Sequence, residues 1–148
     1  MAGQEDDTAR RERALPAQVA PLLRTGVPAT ADRLHVLRRQ LGTWAAATGV
    51  TGELAESLIL AVDEAVSNVV SHAYEAARTG TFDLHATHDP VRNAIHVTVR
   101  DHGRWQEIDP DPSSMGGRGL FLIRALANEA TIERTAHGTA VRMTWLLA

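Results

Sequence analysis

Ala61-Val62-Asp63-Glu64-Ala65-Val66-Ser67-Asn68 is the stretch on which the fold turns. Around it Leu54, Leu58, Ala61, Ala65, Val69 and Ala73 recur at helical spacing, the stripe of an amphipathic helix capped by Thr51 and ended by Gly80. Glu64 and Asn68 are one turn apart, so at about 100° per residue both project from one edge of that stripe. An interior Asn costs a helix roughly half a kcal/mol and gives a core little in return. Two readings fit. The pair is either the polar boundary of a buried face, or two oxygen-bearing groups aimed at a site. In the second, an Asn carbonyl can hold a hard cation beside phosphates, and a carboxylate one turn away can take a proton from a hydroxyl.

Working upstream, Thr30 is a candidate N-cap, and Leu34, Leu37, Leu41 and Trp44 mark a first helix that stops near Gly49. An extended segment over Val19 to Val27, ending at Pro28, precedes it. Residues 1 to 16 carry Glu5, Asp6, Asp7, Arg10, Arg11, Glu12 and Arg13 with little apolar content, so they are expected to be a disordered tail before a domain over 17–148.

Downstream, the period changes to two through Phe82, Leu84 and Ala86. After a turn at Asp89-Pro90 it resumes with Ile95, Val97 and Val99. Asp101 to Gly117 holds three Gly and two Pro and reads as a long loop. Gly119 to Asn128 is expected to be a third helix with Leu120, Ile123 and Leu126 inward. Ala130 to Glu133 and Thr139 to Leu146 are expected to close a hairpin near His137-Gly138. The fold class is α+β, an α/β sandwich: a mixed, largely antiparallel sheet of about five strands with three helices on one face.

Composition removes whole classes of function. The 148 residues, 44% apolar, suit one domain, and no run approaches the roughly 18 to 20 apolar residues of a membrane span. A cytoplasmic protein without membrane attachment is expected. There is no Cys, which excludes disulfides, thiolate metal sites and thiol nucleophiles. The formal charge is −3 with no basic stripe, which argues against direct nucleic-acid binding. All 15 basic residues are Arg, and Walker-type phosphate loops, eukaryotic-type kinase folds and Schiff-base chemistry each need a Lys. The seven His residues, His72, His85 and His88 among them, form no metalloprotease pair, and no Gly-x-Ser-x-Gly elbow occurs.

Two further segments can carry chemistry. Asp101-His102-Gly103 sits where a strand gives way to the long loop. It is either an ordinary turn or a fixed acceptor for an exocyclic amine beside a Gly that lets a flat base approach. Gly116-Gly117-Arg118-Gly119-Leu120 runs into the third helix. It is either a glycine-rich opening without a ligand or a cradle of backbone N–H groups and helix dipole for phosphate, with Arg118 adding a permanent charge.

Taken in order, Glu64-x-x-x-Asn68, Asp101-x-Gly103, Gly117-x-Gly119 and Thr139 resemble the N, G1, G2 and G3 boxes of the GHKL superfamily, whose ATP site has the Bergerat fold. Within it, the segments 61–68 and 116–120 are similar to those of anti-sigma factor serine kinases, over roughly residues 20 to 147. The resemblance implies ATP and Mg2+ as cofactors, with Glu64 as general base and Asn68 as magnesium ligand. It implies that Asp101 recognises the adenine amine and that Gly103 opens space beside the base. Gly117, Arg118, Gly119 and Leu120 would border the phosphates, and Thr139 would reach the adenine. It also implies an anti-anti-sigma factor as serine substrate, a sigma factor as sequestered partner, and a homodimer. One departure stands out: the G1 pattern continues with a second Gly where this chain has Trp105, read as a plug of the lid against the core or as a stacking platform for the nucleotide.

The resemblance leaves three functions to weigh. The chain would be an anti-sigma serine kinase, or a nucleotide-gated binding module of the same fold that transfers no phosphate, or the catalytic part of a histidine kinase. Retention of both Glu64 and Asn68 favours the first over the second. The length leaves no space for the phospho-accepting helical hairpin that the third requires.

Overall fold

The computed structural model describes residues 19–69, 80–103 and 117–147. The expected tail, the continuation of the second helix through Ala73, and Trp105 with most of its loop lie outside the described residues.

Along the chain the elements are β1 (Leu22–Pro28), α1 (Ala31–Ala47), α2 (Gly52–Asn68), β2 (Thr81–Asp89), β3 (Ala94–Asp101), α3 (Gly117–Leu126), β4 (Glu129–Thr135) and β5 (Gly138–Leu146). Thr30 and Thr51 occupy the N-cap positions in extended backbone, as their sequence positions suggest. The stop after α1 is a Schellman turn: Gly49 takes φ 90°, its N–H donates to Ala46 O, and the Val50 N–H donates to Ala45 O. Val50 is thereby buried beneath the helix end.

The sheet order is β1-β2-β3-β5-β4, and all four pairings are antiparallel. The sequence predicts about five strands in a mixed, largely antiparallel sheet, and the five strands pair wholly antiparallel. The crossover from β3 through α3 to β4 does leave those two strands pointing the same way, but β5 folds back from β4 into the space between them and pairs with both. No parallel ladder forms among the described residues.

Alternation decides which face the helices cover. Phe82, Leu84, Ala86, Ile95, Val97, Val99, Val141, Met143 and Trp145 point to one side and are buried against Leu37, Leu41, Trp44, Leu58, Ala61, Ala65 and Ile123. The opposite side carries His85, Thr98, Arg100, Glu133 and Arg142, with an Arg142 to Glu133 ion pair at 2.6 Å. Both core tryptophans satisfy their indole N–H: Trp44 donates to Ala20 O at 2.8 Å and Trp145 to Leu126 O at 2.9 Å. The architecture is therefore a five-stranded sheet with three helices on one face.

Candidate functional site

Asn68 is the last residue of α2 and is 9% exposed. Its amide Nδ2 is buried without a hydrogen-bond partner. Leaving such a group unpaired costs about 1 to 3 kcal/mol, so its place on the helix demands a compensating role. Glu64 lies one turn earlier on the same helix and is half-buried.

Asp101 closes β3 on the inner side of the sheet, continuing the row Ile95, Val97 and Val99, and is 2% exposed. A carboxylate so deep must be hydrogen-bonded. Its Oδ1 accepts the Gly103 N–H at 3.1 Å and the Thr139 N–H at 3.3 Å. The first bond makes an Asx turn that sets Gly103. The second ties the turn to β5, where Thr139 is itself buried. Asp101, Gly103 and Thr139 thus form one hydrogen-bonded unit although 38 residues separate Asp101 from Thr139.

Gly138 makes that unit possible. Its φ is 144°, and a Cβ there would sit 2.0 Å from the Asp101 carbonyl oxygen. Only glycine lets β5 come this close. The sequence reading took Gly138 for a turn residue. Its position just before Thr139 was the signal that could have marked it as part of the site.

Gly117 opens α3, two residues earlier than expected, so Gly117, Arg118 and Gly119 all lie in the first turn. The N–H groups of a first turn have no partner within the helix and face outward along its axis. Leu120, in the next position, is half-buried. The side chain of Arg118 lies outside the described residues.

These pieces are neighbours. Helix α2 packs against α3 and against β3, so the helix bearing Glu64 and Asn68, the strand ending at Asp101 and the helix opening at Gly117 meet on the covered side of the sheet. Asn68, Asp101 and Thr139 are the buried polar residues among the described part of the chain. A core excludes such groups unless something engages them, and all three belong to the set nominated from sequence. Among the described residues no group of three His, Cys, Asp or Glu stands together that could hold a metal ion.

The chain resembles known proteins over most of its length. The family model of the histidine kinase-like ATPase domain matches residues 27–145. The chain is 30% identical over 132 residues to the serine-protein kinase RsbW of Bacillus subtilis, covering 80% of this chain and 81% of that protein. It is 29% identical over 133 residues to RsbW of Staphylococcus aureus, covering 80% and 82%. Among solved structures, that of the RsbU and RsbW domains of Rv1364c from Mycobacterium tuberculosis superposes with a TM-score of 0.70 at 28% identity. It covers 86% of this chain, which spans 32% of that larger one. The histidine kinase domain of a blue-light activated kinase from Erythrobacter litoralis shares the fold, with a TM-score of 0.56 at 22% identity over 81% of this chain and 61% of that one.

Proposed function

The chain belongs to the histidine kinase-like ATPase domain family and is homologous to the RsbW serine-protein kinases, and from that premise we propose that it transfers the terminal phosphoryl group of ATP to a serine of an anti-anti-sigma partner and sequesters a sigma factor. One observation carries the reading: the buried, unpartnered amide of Asn68 stands one turn beyond Glu64 on a helix that adjoins the Asp101 strand.

Asn68 would hold magnesium through its side-chain carbonyl oxygen, beside the phosphates. Bound magnesium supplies positive charge that offsets the charge of the phosphates. Glu64 accepts the proton of the attacking serine hydroxyl. Asp101 accepts a hydrogen bond from the adenine amine, Gly103 leaves the base its room, and Thr139 completes the purine end. The first-turn N–H groups of Gly117, Arg118 and Gly119 face the phosphates, with Leu120 behind them. Catalysis of this kind rests on positioning and charge, since phosphoryl transfer asks little covalent chemistry of the protein.

The partners proposed with this reading are an anti-anti-sigma factor as substrate, a sigma factor as the sequestered protein, and a second copy of the chain as dimer mate; the similarity to RsbW kinases supports the first two. No helix among the described residues is long and apolar enough to cross a membrane. A cytoplasmic protein, working where its partners and ATP are, fits the role.

The test is label transfer. Purified chain incubated with radiolabelled ATP, magnesium and a candidate anti-anti-sigma protein of the same organism should phosphorylate that protein on serine, and chelation of magnesium should stop the reaction. Nucleotide binding without any transfer to that substrate would leave a nucleotide-gated binding module in place of a kinase.

A further inference from the structure

His102 lies between Asp101 and Gly103, the two residues assigned to the purine, yet its own side chain turns outward and is 54% exposed. Its Nε2 lies 3.1 Å from Oδ2 of Asp83 on β2. An ionised carboxylate only accepts, so Nε2 carries the hydrogen. The other oxygen of Asp83, Oδ1, accepts the N–H of Gly26 at 2.8 Å. Gly26 sits where the pairing of β1 with β2 shifts register between Arg24 and Val27. One carboxylate therefore spans three segments: the irregularity in the edge strand, the start of β2, and the turn that follows β3.

The arrangement matters because it reaches the turn from a second side. On its inner side Asp101–Gly103 is held by hydrogen bonds to Oδ1 of Asp101, both of which load the atom group assigned to adenine. The His102 to Asp83 contact holds the same three residues from the outer side of the sheet without touching that carboxylate. Fixing a residue of a short turn from both faces narrows its rotation and pre-orders the acceptor for its ligand.

We infer that Asp83 and His102 are positioning residues, a latch that pre-orders the Asp101–Gly103 turn for purine binding and so sets ATP affinity without entering the phosphoryl-transfer step. The inference rests on the proposed ATP site. The latch acts on the purine end alone, so it governs how strongly ATP is held and leaves turnover at saturation to Glu64 and the phosphate-facing groups.

Isothermal titration of the full chain with ATP and magnesium tests it. His102→Ala should weaken ATP binding about three- to tenfold, the range of one ordinary net hydrogen bond, as befits a partly exposed turn. His102→Gln, which keeps a donor in reach of Asp83, should restore most of the affinity. Asp83→Ala should weaken binding by a similar factor, and the double variant should be no weaker than the worse single one, because both remove the same contact. In the transfer assay these variants should raise the KM for ATP and leave kcat within about twofold of native. His102 is exposed, so its variants are expected to fold, and a melting curve on each verifies that. Native binding with His102→Ala within twofold of it would overturn the latch alone, as would full additivity in the double variant. A native chain that ignores ATP would overturn the proposed function itself.

Discussion

Oδ1 of Asp101 accepts the backbone N–H of Thr139 at 3.3 Å, joining the last residue of β3 to the second residue of β5 on the buried side of the sheet. The consequence is that the proposed purine acceptor is built by two strands at once. Its geometry depends on how closely β5 can approach β3, and that in turn depends on Gly138.

Gly138→Ala should therefore be among the most damaging small substitutions in the chain. The added methyl would overlap the Asp101 carbonyl, and φ 144° is strained for any residue with a Cβ. We expect a loss of about 2 kcal/mol or more in a denaturant titration, together with weakened ATP binding. A variant as stable as native would show that β5 can move aside freely.

Asn68→Ala should separate stability from function. The native amide is buried and unpaired, so removing it relieves a desolvation cost that offsets the small loss of packing. The melting temperature should stay within a few degrees of native, a shift of about 1 kcal/mol or less. Calorimetry with ATP should in contrast lose its magnesium dependence. A steep drop in melting temperature would mean that Asn68 is a structural residue.

Glu64→Gln keeps shape and hydrogen bonding while abolishing the base. Phosphoryl transfer should fall about 100-fold or more, the usual reach of general base catalysis, with ATP affinity little changed. The comparison of single-turnover rate with calorimetric affinity decides it. Transfer at the native rate would reassign the base.

Acid should loosen the β2–β3 turn. Asp89 Oδ1 accepts the N–H groups of Arg92 at 3.1 Å and Val91 at 2.9 Å, and these bonds, that of Arg92 foremost, hold its carboxyl below the ordinary 3.8. A depressed value means that the ionised form favours the folded state. Its contribution is complete above the ordinary value and is lost as the pH falls through the lower folded one. Asp89→Asn should thus be less stable than native near neutrality, with the difference closing below about pH 4. Chemical denaturation at several pH values measures it, and a gap independent of pH would remove the carboxylate from the account.

Much of the architecture was legible because its signals are local. The stripe from Leu54 to Val69 and the alternation Phe82-Leu84-Ala86 each reflect side-chain direction within one element, and both elements lie where those patterns place them. The start of α3 was misjudged by two residues, since Gly117 and Gly119 are weak helix formers whose place in a first turn depends on what surrounds them. Glu64, Asn68, Asp101 and Thr139 could be nominated from spacing and resemblance, but their depth could not. The roles of Asp83, His102 and Gly138 are not legible in the sequence, because each acts through a residue distant in the chain or on the neighbouring strand.

What the linear chain determined by itself was the kind and rough extent of each helix and strand, the absence of any chemistry that needs Lys or Cys, and the residues eligible to hold a nucleotide. Only tertiary structure decided the insertion of β5 between β3 and β4, the burial of Asn68, Asp101 and Thr139 together on the helix-covered side, and the outward contact of His102 with Asp83. The division has a physical cause: periodicity is written within a few neighbouring residues, whereas strand order, close approach and burial are settled by which distant surfaces best exclude water and pair their hydrogen bonds.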